Sequence, residues 1–425
     1  MNNISSTKTR IADGSFDEAL KRVYGTANNA YDRERYTFLC DFFNEKFGDA
    51  DDIRFFSAPG RTEVCGNHTD HNHGRVLAAA INLDAVACVA KTDDNFIKVY
   101  SKGYPGDIVD INILTPQEKE YDKSISLVRG VAARFVQLGY KIGGFNAVTV
   151  NNVLKGSGMS SSASFEVLIG TILNYLYNDG KISPVEIAQI AQYAENVFFG
   201  KPCGLMDQMA CSVGSFVEID FENPDKPIIT PVKFDFASCG HALCIVDTRA
   251  DHADLTDEYA AIRKEMESVA GFFGKKCLRE TPERDVLDNI GELRKALGER
   301  PILRALHFYE DDRRVAKEAD ALAKDDFETF KSLVIDSGNS SYMYNQNVFS
   351  KKSDSQPVSL ALAVSHRLLE GKGAWRVHGG GFAGTIQAFV PNDKLDEYKS
   401  AMEKIFGEGA CYVLSIRAFG GTEVK

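Results

Sequence analysis

The sequence lacks the long apolar run of a membrane helix and the paired cysteines of a metal or disulfide site. Across 425 residues no stretch approaches the roughly 20 apolar residues that cross a bilayer. The polar N-terminus has no apolar signal core. The nine cysteines are scattered and form no C-x-x-C pair, which is typical of reduced, buried thiols. These absences predict a cytoplasmic protein that neither crosses a membrane nor depends on disulfides.

Positive charge is also in short supply. Lys and Arg number 49 against 60 Asp and Glu, for a net charge of −11. A diffuse negative field disfavours nucleic acid or an anionic membrane as the main partner. An anionic small ligand remains compatible with this charge if local groups attract it, such as backbone N–H groups, a helix N-terminus, an arginine or a metal ion.

The chain is too long for one ordinary hydrophobic core, so two domains are expected. Helical and strand-like patterns mix in both halves, which predicts an α+β fold. We place the boundary near residue 228, giving an N-terminal domain over 1–228 and a C-terminal domain over 229–425. A monomer is expected.

A glycine and serine run from Gly156 to Ser162 opens a predicted helix. Glycines allow backbone N–H groups to approach a phosphate, and a helix N-terminus adds free donors and a favourable dipole. The hydroxyls of Ser160 and Ser161 could bind phosphate oxygens or complete a magnesium shell. The lysine of the G-x-x-x-x-G-K-[ST] loop is missing, and a flexible turn followed by a serine cap explains the residues equally well.

A carboxylate lies on the apolar stripe of the next predicted helix, over 184–199. Ile187, Ala191 and Glu195 are spaced four residues apart and therefore share one face. Burying a lone carboxylate is costly, so Glu195 requires a cationic partner. Magnesium held by ATP phosphates meets this need, and so does a lysine or arginine at the helix end.

Asp207 lies among apolar neighbours in the segment PCGLMDQMA. An aspartate in such company can accept or orient the proton of an attacking hydroxyl in phosphoryl transfer. Arg61 is its natural companion, because it would keep the carboxylate ionised and offset phosphoryl charge. A buried helix-capping aspartate is the structural alternative.

Short polar side chains crowd the stretch 67–73, between two apolar strand-like segments. Such side chains bind sugars, because each hydroxyl needs a donor or an acceptor. Three close histidines rarely satisfy tetrahedral metal geometry, so a metal site is the weaker interpretation. A solvated turn remains an alternative.

Four segments, in order from about residue 53 to the C-terminus, together resemble the galactokinases of the GHMP kinase superfamily. They are APGRTEVCGNHTDHNHG, GSGMSSSASFE, AENVFFGKPCGLMDQ and VHGGGFAGTIQAFV. The resemblance implies a two-domain GHMP kinase fold, with an N-terminal domain like domain 2 of ribosomal protein S5 and a ferredoxin-like C-terminal domain. It also implies an ATP-dependent sugar 1-kinase that uses Mg²⁺.

The resemblance assigns roles by motif position. Asp207 matches the catalytic aspartate and Arg61 its arginine partner. The remaining matches fall into three groups. Sugar contacts are implied for Asn67, His68, Asp70, Gly204 and Tyr259. Nucleotide contacts are implied for Gly156, Gly158, Ser160 and Ser161. Magnesium ligands are implied at Ser161 and Glu195.

The chain departs from the family pattern at several positions, most of them within the segment that matches PGRVNLIGEHTDYNGG. Asn67 replaces the glutamate that accepts a hydrogen bond from the 6-hydroxyl of the sugar, and Glu63 replaces an asparagine. His71 replaces a tyrosine, and His378 replaces a threonine. These changes bear on the choice of sugar more than on the phosphate chemistry.

The resemblance to galactokinases makes galactose the expected substrate. A sugar 1-kinase for another galactose-like sugar, such as N-acetylgalactosamine or a sugar altered at C6, is the first alternative. A catalytically silent sugar and ATP sensor is the second.

Overall fold

The structure is a computed structural model that describes residues 3–25, 29–153, 158–201, 203–249, 255–351, 353–382 and 384–425. None of the helices in these ranges combines the length and apolar character needed to cross a membrane.

Helices and strands follow one another in runs along the described chain. The helices are α1 (Ile4–Ala12), α2 (Asp17–Tyr24), α3 (Asn29–Phe47), α4 (Ser124–Gln137), α5 (Ser161–Tyr177), α6 (Pro184–Tyr193), α7 (Met206–Val213), α8 (Thr256–Phe272), α9 (Glu283–Asp288), α10 (Ile290–Leu297), α11 (Glu299–Ala323), α12 (Phe327–Ser340), α13 (Pro357–Leu369) and α14 (Leu395–Phe406). The strands are β1 (Ile53–Cys65), β2 (Arg75–Lys91), β3 (Phe96–Ser101), β4 (Asp107–Asp110), β5 (Phe145–Asn151), β6 (Phe216–Asp220), β7 (Ile228–Val232), β8 (His241–Asp247), β9 (Ala374–His378), β10 (Thr385–Pro391), β11 (Cys411–Leu414) and β12 (Thr422–Val424).

The first sheet has eight strands among the described residues, in the order β12-β1-β2-β5-β3-β4, with β6 and β7 continuing from β2. Its pairs are antiparallel apart from β3 with β5. The register between β1 and β2 shifts at Pro59/Arg61 and again at Glu63/Cys65. Such bulges turn side chains out of the regular alternation, and the first of them directly precedes Arg61.

Both faces of this sheet are covered. Helices α4 to α6 bury one face in an apolar core that includes Phe56, Phe135 and Ile172. Helices α1 to α3 bury part of the other face through residues such as Leu20 and Leu39. The N-terminal helices are therefore part of the domain core.

The second sheet is antiparallel, in the order β11-β8-β10-β9. Numbered along the chain, this order is 4-1-3-2, with helices between the first and second and between the third and fourth strands, as in ferredoxin-like folds. The predicted α+β fold of two sheet-containing units is confirmed. Because β7 and β12 belong to the first sheet, we propose moving the domain boundary from residue 228 to beyond residue 232, with 422–424 returning to the N-terminal unit.

The predicted helix over 184–199 changes character near its end. Ser183 caps it by accepting a hydrogen bond from the backbone of Glu186, with Pro184 in the first turn. Helix α6 ends at Tyr193, and Ala194–Phe199 continues as a π-helix. π-helical turns are frequent at functional sites, and this one carries Glu195.

Candidate active site

Arg61 on β1 and Asp207 in the first turn of α7 form a two-bond ion pair. Arg61 Nε and Nη2 donate to Asp207 Oδ1 and Oδ2, each at 2.7 Å. Burial alone would lower the pKa of Arg61, but the Asp207 carboxylate outweighs it and raises that pKa. The Asp207 side chain is 33% exposed, whereas that of Arg61 is 11% exposed. The pair thus presents a fixed carboxylate that a ligand can reach.

The glycine and serine loop contacts this pair directly. Arg61 Nη1 donates to the Gly158 carbonyl, and Ser160 Oγ donates to Asp207 Oδ2. Ser160 adopts a left-handed φ of 59° immediately before α5 begins at Ser161, a conformation that is uncommon for residues other than glycine. The predicted nucleotide contact Gly156 lies outside the described residues. The structure therefore brings together Arg61, Asp207, Gly158 and Ser160 at the N-terminus of a helix.

A glycine allows the loop and β1 to approach closely. A Cβ on Gly60 would lie 2.7 Å from the Met159 carbonyl oxygen, and the Arg61 N–H donates to that same oxygen at 3.1 Å. A larger residue at position 60 would push the loop away from the ion pair.

Glu195 lies in a buried group of carboxylates beside the loop. Gln208 Nε2 donates to Glu195 Oε2 at 2.7 Å and to Glu166 Oε2 at 3.1 Å. Ser162 Oγ lies 3.5 Å from Glu195 Oε1, and Lys201 Nζ lies 3.7 Å from that atom. Burial, and then the negative charge of Glu195, raise the pKa of Glu166. The predicted burial of Glu195 is confirmed, since the residue is 3% exposed, and a lysine, one of the two partners expected for it, lies nearby.

The polar turn after β1 borders the same ion pair. Burial raises the pKa of Asp70. His68 lowers that pKa and the Asp207 carboxylate raises it further. A Cβ on Gly204 would lie 3.6 Å from Asp70 Oδ2, so the Gly204 backbone adjoins this carboxylate. His68 and Gly204 therefore both adjoin Asp70, which lies within electrostatic reach of Asp207, and their role as sugar contacts stays a prediction.

The second domain closes over the turn with its glycine segment 379–381. His68 Nε2 lies 3.0 Å from the Gly380 carbonyl oxygen. Tyr259, in the first turn of α8, donates its hydroxyl to the Gly381 carbonyl at 2.9 Å. Tyr259 and His68 thus contact the same glycine segment, which places Tyr259 near the polar turn.

Asn67 differs from these residues because its side chain is fully buried and fully hydrogen-bonded. Its Nδ2 donates to Glu63 Oε1 at 3.0 Å and to the Gly379 carbonyl at 2.7 Å. Its Oδ1 accepts from Asn347 Nδ2 at 2.7 Å, with Ser341 Oγ at 3.3 Å. An asparagine amide has two donor hydrogens and two acceptor lone pairs, and protein groups use all of them here.

His378 connects the second sheet to the residue after Arg61. Its Nε2 lies 3.1 Å from Thr62 Oγ1, and its Nδ1 lies 2.9 Å from Thr385 Oγ1. Burial, and then Arg61 and Arg376, lower the pKa of His378 to about 3. The imidazole is therefore a neutral bridge behind the ion pair.

A cavity of about 1200 Å³ opens beside the loop. It lies between the β3–β4 hairpin, α4 and the start of α5, and Ser161 and Ser162 contribute to its wall. Aromatic and aliphatic side chains, among them Phe96, Tyr104 and Phe165, line it together with polar ones. Its position next to the loop suits the nucleoside of a bound nucleotide.

Two family models match the parts of the chain that carry Arg61, the polar turn, the loop and Asp207. The galactokinase galactose-binding signature matches residues 41–91, and the GHMP kinase N-terminal domain matches residues 126–215. A galactokinase of Glaesserella parasuis serovar 5 (strain SH0165) is 34% identical over 86% of this chain and 91% of its own length. A galactokinase of Streptomyces coelicolor is 30% identical over the same shares. The chain belongs to the galactokinase family.

Solved structures agree on the fold. Lactococcus lactis galactokinase complexed with galactose superposes with a TM-score of 0.73 at 24% identity, covering 91% of this chain and 99% of that one. Methanococcus jannaschii mevalonate kinase gives 0.61 at 15% identity, covering 86% and 98%. The chain therefore has the GHMP kinase fold, and it is a galactokinase-type phosphotransferase of a family that uses ATP.

Sequence reasoning missed several residues of the site. Sequence patterns do not distinguish Ser162 from Ser161, because both belong to one serine run. The structure shows that Ser162 is the one beside Glu195. Gln208 follows Asp207 directly, but nothing in its identity indicated that it joins two carboxylates. The cavity residues are dispersed between positions 96 and 199 without a motif, so no sequence signal marked them.

Proposed function

We propose that this member of the galactokinase family transfers the γ-phosphoryl group of ATP directly to the anomeric hydroxyl of galactose. The observation that carries this proposal is the contact of Asp207 with both Arg61 and Ser160. It joins a proton acceptor, a cation and the N-terminus of a helix suited to phosphate in one place.

In the proposed reaction, Asp207 accepts or orients the proton of the sugar hydroxyl. Arg61 stabilises charge on the transferred group and keeps Asp207 ionised. His68, Asp70, Gly204 and Tyr259 hold the sugar hydroxyls in front of Asp207 by hydrogen bonds.

The nucleotide phosphates would rest against Gly156, Gly158, Ser160 and Ser161, and the nucleoside would enter the adjoining cavity. Backbone N–H groups at the start of α5 supply donors that no intrahelical carbonyl uses.

The residues beside the loop fit a magnesium ion. Glu195 and a loop serine, either Ser161 or the nearer Ser162, offer the oxygen ligands that Mg²⁺ prefers. Glu166 Oε1 and Gln208 Oε1 are buried without a hydrogen-bond partner among the described residues, so polar capacity remains here. Among those residues no three His, Cys, Asp or Glu side chains form a ready metal site, so further ligands would come from phosphate and water. When bound, the ion would offset phosphate charge.

The test is ADP release from Mg-ATP with a panel of galactose, N-acetylgalactosamine, glucose, fucose, galacturonate and arabinose. We expect galactose to give the highest kcat/KM. Turnover restricted to another sugar would support the alternative 1-kinase, which Asn67 and His71 in place of the usual residues favour. Sugar binding without any turnover would replace the proposal by the sensor function.

A further inference from the structure

The neutral form of His71 is fixed by its neighbours. The Leu278 backbone N–H donates to Asn72 Oδ1 at 3.1 Å, so the Asn72 amide must turn its Nδ2 the other way. That Nδ2 lies 3.0 Å from His71 Nδ1. An amide nitrogen can only donate, so His71 Nδ1 accepts and the ring hydrogen is on Nε2.

This Nε2–H is a buried donor without a protein partner in the described part of the chain. Burial, and then His68 and Arg263, lower the pKa of His71 well below its usual value. The ring therefore does not gain a second proton, and Nε2 can act only as a neutral donor. Buried donors are nearly always paired, so an acceptor from outside the protein is expected.

The surroundings of His71 are those of the sugar contacts. Its ring centroid lies 5.6 Å from that of His68, and its backbone N–H donates to the Asp70 carboxylate. Its neighbour Asn72 contacts Met266 Sδ at 3.5 Å, on the same helix α8 that carries Tyr259. His71 thus lies on the part of the polar turn that packs against α8, beside two proposed sugar-binding residues, His68 and Asp70.

Asn67 has no such capacity left, because Glu63, Gly379 and Asn347 occupy its amide. A glutamate at position 67 would set its carboxylate against the Glu63 carboxylate and the Gly379 carbonyl, both acceptors. The residue that replaces the usual glutamate is therefore a positioning residue that ties the polar turn to the second domain.

We propose that His71 is an additional sugar-binding residue, which donates its Nε2–H to one hydroxyl oxygen of the sugar. This inference rests on the proposed function and adds a residue to that same site. It transfers part of the recognition from position 67 to position 71.

The experiment compares His71→Phe, His71→Gln and Asn67→Ser with the unmodified protein, using galactose and its 2-, 3-, 4- and 6-deoxy derivatives. We expect His71→Phe to lower kcat/KM for galactose about tenfold, mainly through KM, the size of one neutral hydrogen bond. For one deoxy sugar it should cause no further loss, because the bonded hydroxyl is already missing. His71→Gln should recover part of the loss, since its amide can donate. Asn67→Ser should lower all five values by a similar factor.

Equal losses on every sugar for His71→Phe, or no loss, would overturn the role of His71. Calorimetric titration of the same sugars into the same variants measures binding without turnover. If the unmodified protein bound sugars but released no ADP, the proposed function would fail, and the binding series alone would still decide whether His71 reads one hydroxyl. Thermal unfolding of each variant confirms that it is folded.

Discussion

The change Asp207→Asn removes the proposed proton acceptor while keeping the side-chain shape. Asp207 accepts two hydrogen bonds from Arg61 and one from Ser160. An amide can place only one oxygen there, so its NH₂ group must face a donor of Arg61. We expect kcat to fall by about 10²–10⁴, the range for loss of a general base, with a small change in the KM for galactose.

The same change should reduce the free energy of unfolding by about 1–2 kcal/mol. A lost charge-assisted hydrogen bond costs more when both partners are buried, and here the Asp207 side chain is 33% exposed, so water relieves part of the cost. ADP release measures kcat, and urea unfolding measures stability.

Asp312→Asn is the matched control. Asp312 also accepts from two arginines, Arg75 and Arg279, at 2.9 Å each, but it is not among the residues of the proposed site. It should lose comparable stability and retain kcat. A folded Asp207→Asn protein with nearly unchanged kcat would refute the role of Asp207, and an equal loss of kcat in both variants would show that the effect is structural.

Three further outcomes follow from the geometry. Glu195→Gln should raise the Mg²⁺ concentration needed for half-maximal rate by at least tenfold. Ser162→Ala should raise that concentration more than Ser161→Ala. Magnesium titrations at fixed ATP check both, and the reverse order of the two serine variants would select Ser161 as the ligand. Burial lowers the pKa of His307 from 6.5 to about 4, so below pH 6.5 the unfolded chain binds a proton that the folded chain does not. The contribution of neutral His307 to the free energy of unfolding is therefore present above pH 6.5 and is lost as pH falls, by about 2 kcal/mol between pH 7 and 5. His307→Gln should reduce this loss of stability in urea unfolding at the two pH values. An unchanged loss would contradict the assignment. Asp84 is fully buried between Arg35 and Arg417, so Asp84→Asn should destabilise the fold by about 3 kcal/mol, whereas a change below 1 kcal/mol in chemical unfolding would mean that these arginines are satisfied elsewhere.

Local features of the fold could be predicted from the sequence because local chemistry decides them. Ser183 and Pro184 begin α6 as predicted, since an N-cap and a first-turn proline act within one helical turn. The burial of Glu195 was predicted from helical spacing. The π-helix that carries it was not, because helical spacing does not distinguish a π-helix from the end of an α-helix.

Long-range contacts of the site cannot be predicted from local sequence patterns alone. Arg61 and Asp207 are 146 positions apart, and they were paired in the prediction through chemistry and family resemblance. The network of Asn67 reaches 280 positions along the chain to Asn347. The residues around Asn67 and Asn347 carry no pattern that predicts this contact. The sequence therefore suggested a sugar contact at Asn67, whereas in the structure protein groups occupy every hydrogen-bonding position of its amide.

The central claim is tested most directly by measuring ADP release from Mg-ATP with galactose and identifying the sugar product. The account predicts turnover with galactose preferred over the other sugars, formation of a phosphate ester at the anomeric position, and loss of both in Asp207→Asn. Galactose binding without ADP release, or phosphorylation at a different hydroxyl, would contradict it.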